Sequence, residues 1–264
     1  MCLSPSLGRN KSTNKVVEFP CRQCRECKQA RANQWAIRCA KELEQHKDSC
    51  FITLTYDDLY NPRVLLKAEL QLFVKRLRKR IPPVKIFTCG EYGTKSLRPH
   101  YHIILFGWFP DDCIFYKNSD SGYPLYNSKI LAELWDYGYS TVQRATSETA
   151  GYMALYCGTP RWRLPSPQKY AVEFNTMSHG LGVSSIMADI DNYLKTDKIW
   201  YNGFGYRIPQ AVLNKKFPVG SLAREIGYKQ LKDSRYQEFC EKYPPRDMAD
   251  VWYLASKKKV KKSL

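Results

Sequence analysis

The stretch Arg98-Pro99-His100-Tyr101-His102-Ile103-Ile104-Leu105-Phe106-Gly107 constrains this chain more than any other. Its apolar and aromatic content predicts a buried strand. It also holds two of the chain's four histidines, one residue apart. Side chains in a strand alternate between faces, so His100 and His102 share one face, about 7 Å apart along the chain. Two imidazoles placed this way can hold one divalent ion, or they can simply line a polar sheet face.

The rest of the composition narrows the partners. Hydrophobic residues make up 44% and aromatics 14% of 264 residues, enough for a sizeable core. The excess of 42 Lys+Arg over 25 Asp+Glu gives +17, which points to a polyanionic partner held through phosphate contacts. No run of about 18 apolar residues is present, so no membrane partner is expected. The opening residues, Met1-Cys2-Leu3-Ser4-Pro5, lack the charged and apolar regions of a signal peptide. The ten cysteines therefore read as reduced thiols or metal ligands rather than a disulfide framework. An intracellular location is the expectation.

Periodicity gives the organisation. The first 20 residues read as polar and irregular, and a helical pattern runs from about Arg22 to His46. Phe51–Tyr56 reads as a strand, residues 65–80 as a helix stopped by Pro82-Pro83, and residues 84–90 and 99–106 as an antiparallel hairpin. Residues 109–127 read as a surface excursion. A short helix near Ile130–Trp135, a strand at Ser140–Arg144 and a helix over 147–157 follow. This order predicts an α+β fold, a central antiparallel sheet flanked by helices. Helices are expected over 183–195 and 221–242, then a basic tail, Lys257-Lys258-Lys259-Val260-Lys261-Lys262. The expected division is a Cys-rich segment and helix at 1–47, a core at 48–182, and a mainly helical appendage at 183–264.

Three pieces carry chemistry. Beside the histidine pair, Glu91 ends the preceding hairpin strand and can return next to it as an oxygen ligand. Two imidazoles and a carboxylate suit Mg²⁺ or Mn²⁺ with positions left for a phosphate. Tyr152 and Tyr156 lie four apart in a predicted helix, so their Cβ atoms fall about 5–6 Å apart on one face. A phenol oxygen can attack phosphorus when a cation polarises the phosphate. An aromatic pair at that spacing is equally compatible with a core, in a chain with 19 tyrosines.

The set of motifs resembles a known group. Thr53-Leu54-Thr55, His100-Tyr101-His102 and Tyr152-x-x-x-Tyr156 are similar, in order, to the three motifs of HUH endonucleases. Pro20-Cys21-Arg22-Gln23-Cys24-Arg25-Glu26-Cys27, Gln34-Trp35-Ala36-Ile37-Arg38-Cys39, Cys89-Gly90-Glu91-Tyr92-Gly93 and Arg98-Pro99-His100-Tyr101-His102 resemble the replication initiation proteins of gokushoviruses. The likeness covers roughly residues 2–185.

The resemblance implies a ferredoxin-like sandwich and a rolling-circle initiator. Such an enzyme nicks single-stranded phage origin DNA, using His100, His102 and Glu91 for Mg²⁺ or Mn²⁺ and Tyr152 and Tyr156 as nucleophiles. It leaves a 3′-OH and a 5′-phosphotyrosyl bond, and later rejoins ends. It works in the cytoplasm of the bacterial host with a host polymerase and a separate helicase, because no Gly-x-x-x-x-Gly-Lys-Ser/Thr loop is present. Related two-tyrosine initiators carry a lysine three residues after each tyrosine, where this chain has Leu155 and Thr159. Arg161, Arg163 or Lys169 can substitute as phosphate clamps.

Arg98, Lys75, Arg76 and Lys79, with Arg161 and Arg163, are the expected DNA contacts; the basic face of the 65–80 helix can also be merely solvated. Cys2, Cys21, Cys24 and Cys27 offer four thiols for one structural Zn²⁺, or three thiols entering a helix with no metal. Cys39, Cys50, Cys89, Cys113, Cys157 and Cys240 read as small core residues. Two other functions fit these residues: a zinc-containing, non-catalytic single-stranded nucleic-acid binder, and a defective initiator that retains origin binding.

Overall fold

The computed structural model describes residues 2, 5–9, 16–93, 96–156 and 171–242. Its centre is a sheet of eight-residue strands, β3 (Ser49–Tyr56), β4 (Lys85–Tyr92) and β5 (Pro99–Phe106). β6 (Cys113–Asn118), β7 (Pro124–Ser128), β8 (Gly138–Arg144) and β9 (Phe174–Met177) extend it. Among the described residues the order is β6-β7-β8-β3-β5-β4-β9, and every pairing is antiparallel. The α+β architecture read from the sequence is the one observed.

Alternation along the strands gives the sheet two different faces. Ile52, Leu54, Tyr101, Ile103 and Leu105 are buried beneath α2 (Lys67–Leu77) and α3 (Lys129–Leu134), against Leu70, Phe73, Leu77 and Trp135. Phe51, Phe87, Cys89, Ile104 and Phe106 face the other way. They pack on Cys39 of α1 (Arg25–Leu43) and on Ala150 and Met153 of α4 (Ser147–Tyr156).

The direction of α1 follows from three contacts. Glu42 accepts from Lys85 at the start of β4, and the Trp35 and Phe87 rings lie 5.4 Å apart. Arg31 reaches Asn175, which pairs with Cys89. The N-terminal end of α1 therefore lies toward the Glu91 end of β4.

A third apolar cluster joins Ile37 of α1 to α5 (Val183–Met187), α6 (Ile190–Thr196), β10 (Lys198–Tyr201) and α7 (Gln210–Lys216). Glu42 locks this junction. It is 2% exposed and accepts from Lys85 Nζ at 2.9 Å, from the Gly182 amide at 2.8 Å and, at 3.0 Å, pairs with His46. Gly182 takes φ +67°, and a Cβ there would lie 2.2 Å from the Arg38 carbonyl oxygen. Only glycine fits this turn.

The structure departs from the sequence reading where local pattern is weak. Residues 109–127 are not only a surface excursion, since β6 and β7 within them add to the sheet edge. The first 20 residues contain a hairpin, β1 (Ser6–Arg9) with β2 (Val16–Phe19). The region after 182 is less purely helical than expected, because β10 pairs with β11 (Phe204–Arg207). The helix expected over 183–195 is two, broken at Ala188-Asp189. Over 221–242 a π-helical turn, Arg224–Tyr228, leads into α8 (Lys229–Lys242). The basic tail lies outside the described residues.

Candidate active site

Strand register assembles the site. His102 pairs with Thr53 on one side and Cys89 on the other, and His100 pairs with Thr55 and Glu91. Directly paired residues share a face, so the hairpin returns Glu91 beside the histidines. His102 Nε2 lies 3.0 Å from Glu91 Oε1, and its Nδ1 lies 3.0 Å from Thr53 Oγ1. Phe51 stacks on the His102 ring with centroids 5.3 Å apart. Both polar residues are nearly enclosed, Glu91 at 6% and His102 at 7% exposure.

His100 is the looser member. Its Nδ1 lies 2.7 Å from the Arg98 carbonyl oxygen, and its Cε1 lies 3.0 Å from the Cβ position of Gly93. Burial lowers its pKa below the ordinary imidazole value, which favours the neutral ring that ligates metals. His100, His102 and Glu91 are not drawn into one tight set. Among the described residues only Cys2, Cys21, Cys24 and Cys27 bring ligand atoms within 4.8 Å of one another.

Helix α4 lies across this end of the sheet. Ala150 and Met153 on its inner side are buried, which turns Tyr152 toward the strands. The Tyr152 hydroxyl donates to Glu91 Oε1 at 3.2 Å, and its ring meets His102 edge-on at 5.6 Å. Tyr152 remains 41% exposed, so solvent or a substrate can reach it. Tyr156 closes the helix one turn later. Its side chain, that of Leu155, and residues Cys157, Thr159, Arg161, Arg163 and Lys169 lie outside the described residues.

The remaining expected DNA contacts are dispersed. Arg98 donates to the Tyr56 carbonyl at 2.8 Å and pairs with Asp58, bracing the end of β3. Lys75, Arg76 and Lys79 belong to α2 and its C-terminal end, on the opposite face of the sheet, and Arg76 donates to the Leu134 carbonyl at 2.7 Å. The structure does not bring these three to the site. Of the cysteines expected in the core, Cys39, Cys50 and Cys89 are buried and Cys113 is half-buried.

Motif reading gave Thr53 and Phe51 no role. The signal was available in their i, i+2 spacing, which puts both on the histidine face once β3 pairs with β5.

The donor set matches a hard divalent ion. Glu91 Oε2 is buried with no hydrogen-bond partner among the described residues, an acceptor-only atom that a cation would satisfy. Two imidazoles and one carboxylate suit Mg²⁺ or Mn²⁺.

Comparison with known proteins gives the family. The model of the ORF2-type replication-associated protein family matches residues 49–160. The replication-associated protein ORF4 of Chlamydia phage 1 is 32% identical over 216 residues, 73% of this chain and 52% of the relative. The replication-associated protein VP4 of Bdellovibrio phage phiMH2K is 34% identical over 148 residues, 52% of this chain and 47% of the relative. The replication-associated protein ORF2 of Spiroplasma virus 4 is 31% identical over 212 residues, 73% and 64% of the two chains. The chain thus spans about half to two thirds of the length of these curated relatives. No solved structure gives a significant match. The chain belongs to the family of phage replication-associated proteins, of the gokushovirus type.

Proposed function

We propose that the protein initiates rolling-circle replication by nicking single-stranded phage origin DNA, with Tyr152 as the nucleophile. The observation that carries this reading is the convergence on Glu91 Oε1 of the Tyr152 hydroxyl at 3.2 Å and His102 Nε2 at 3.0 Å. A core tyrosine needs neither a carboxylate nor an imidazole at its hydroxyl, and half-exposure suits a group that must meet DNA.

The residues divide the work. His100, His102 and Glu91 hold Mg²⁺ or Mn²⁺, which supplies Lewis-acid polarisation of the scissile phosphate. Thr53 and Phe51 fix the His102 ring. Tyr152 Oη forms the new bond to phosphorus, and the P–O3′ bond breaks to leave a 3′-OH. The phenol proton has Glu91 Oε1 as an acceptor within hydrogen-bond reach. The phosphotyrosyl bond retains the energy of the cut bond, so a later 3′-OH can attack it and free the tyrosine. Tyr156, one helical turn on, is the second nucleophile for the closing cut. The +17 charge supplies the general attraction for DNA. A host helicase and polymerase complete the reaction.

The test is labelled single-stranded DNA from the phage origin, incubated with the protein and Mn²⁺ or EDTA, then run on a denaturing gel. The expected result is a metal-dependent covalent adduct that disappears when Tyr152 and Tyr156 are both Phe. Tight binding without adduct would replace the nickase by an origin-binding protein.

A further inference from the structure

Cys2, Cys21, Cys24 and Cys27 lie outside the chemistry above, and their geometry is specific. None forms a disulfide. All four Sγ atoms fall within 4.8 Å of one another. Cys21 and Cys27 are 4.0 Å apart and Cys2 and Cys24 are 3.9 Å apart, about twice a sulfur–sulfur bond. Four thiolates at about 2.3 Å from one tetrahedral ion would be separated by about 3.8 Å. A cubane iron–sulfur cluster would spread its ligating sulfurs farther, since each binds a different iron.

The backbone is arranged for charged sulfur. The Cys21 amide donates to Cys2 Sγ at 3.2 Å, that of Cys24 to Cys21 Sγ at 3.3 Å, and that of Cys27 to Cys24 Sγ at 3.4 Å. Such donors stabilise thiolates, as does the N-terminus of α1, which Cys24 caps. Arg22 takes φ +58°, a left-handed turn that a non-glycine residue holds only when its surroundings impose it.

We infer that these four cysteines bind one structural Zn²⁺ that clamps the β1–β2 hairpin to the start of α1. Cys2 precedes the hairpin and Cys21 follows it, so one ion closes its base. The hairpin needs this. Two strands alone are marginal in water, and its Leu7 and Phe19 are 72% and 47% exposed rather than buried in a core. Because α1 points its N-terminus toward the Glu91 end of the sheet, the ion would hold the hairpin at the active-site end.

The experiment is elemental analysis of the untagged full chain, followed by exchange of its metal for Co²⁺. One zinc per chain and the visible bands of tetrahedral cobalt thiolate are expected. The variant Cys24→Ser keeps a helix-capping acceptor and should lose both, while His102→Ala should keep both. Chelation should open the chain to protease ahead of Arg25 and leave the sheet intact. Iron in place of zinc, a metal-free chain whose four thiols react freely, or full zinc retention by Cys24→Ser with Cys27→Ser would each overturn the assignment.

Discussion

Thr53 Oγ1 sits 3.0 Å from Nδ1 of His102, on directly paired residues of the two strands at the heart of the sheet. A partner on Nδ1 fixes the ring's tautomer and leaves Nε2 for a metal. Thr53→Val keeps the shape and removes the hydroxyl. Its Mn²⁺ affinity is expected to fall about 10–100-fold, read from nicking rate against Mn²⁺ concentration. An unchanged Mn²⁺ dependence would remove Thr53 from the site.

Tyr152 is expected to be indispensable for the first adduct. Tyr152→Phe should reduce nicking by on the order of 10³-fold or more while leaving origin binding intact. Tyr156→Phe should spare the first cut and block the second, so no closed circle is released. A gel with a circular origin substrate separates the two outcomes; wild-type nicking by Tyr152→Phe would reassign the nucleophile.

Glu42 should dominate the acid stability of the fold. Burial raises its pKa, but Lys85, His46 and the Gly182 amide outweigh that and hold it below the ordinary carboxylate value. A depressed folded pKa means the contribution is present above the unfolded value, ordinarily near 4.5, and is lost as pH falls through the lower folded value. Glu42→Ala should cost about 3 kcal/mol at neutral pH in urea denaturation, because the Gly182 amide and Lys85 lose their partner. Between neutral pH and pH near 3 the variant should lose less stability than the parent.

Gly182→Ala tests the junction of α1 and α5. The left-handed φ alone costs about 1–2 kcal/mol, and the new Cβ would also press on the Arg38 carbonyl. Denaturation should show a loss beyond that range. A smaller loss would mean that the helices shift to make room.

How far the sequence led depended on whether the pattern was local. The helix of Trp35 and Cys39, the strand of Thr53, and the hairpin joining Glu91 to His100 each follow from a repeat or a turn within a few residues. β9 did not, because four residues at Phe174–Met177 become a strand only by pairing with the exposed edge of β4. Lys75, Arg76 and Lys79 were legible as a basic helix face but not as lying behind the sheet. That placement depends on which face of β5 meets which helix. Tyr152 was legible as one of two tyrosines on a helix; its hydrogen bond to Glu91 depends on how α4 lies across β4 and β5.

The position of β5 between β3 and β4 has a kinetic consequence. Its backbone is bonded on both flanks, so the His102 amide should trade its proton for deuterium only when the whole domain unfolds. Helix α4 joins the sheet through side chains such as Ala150 and Met153. It can therefore lift and resettle many times within the life of a single folded molecule, carrying Tyr152 to and from a carboxylate and imidazoles that stay where they are.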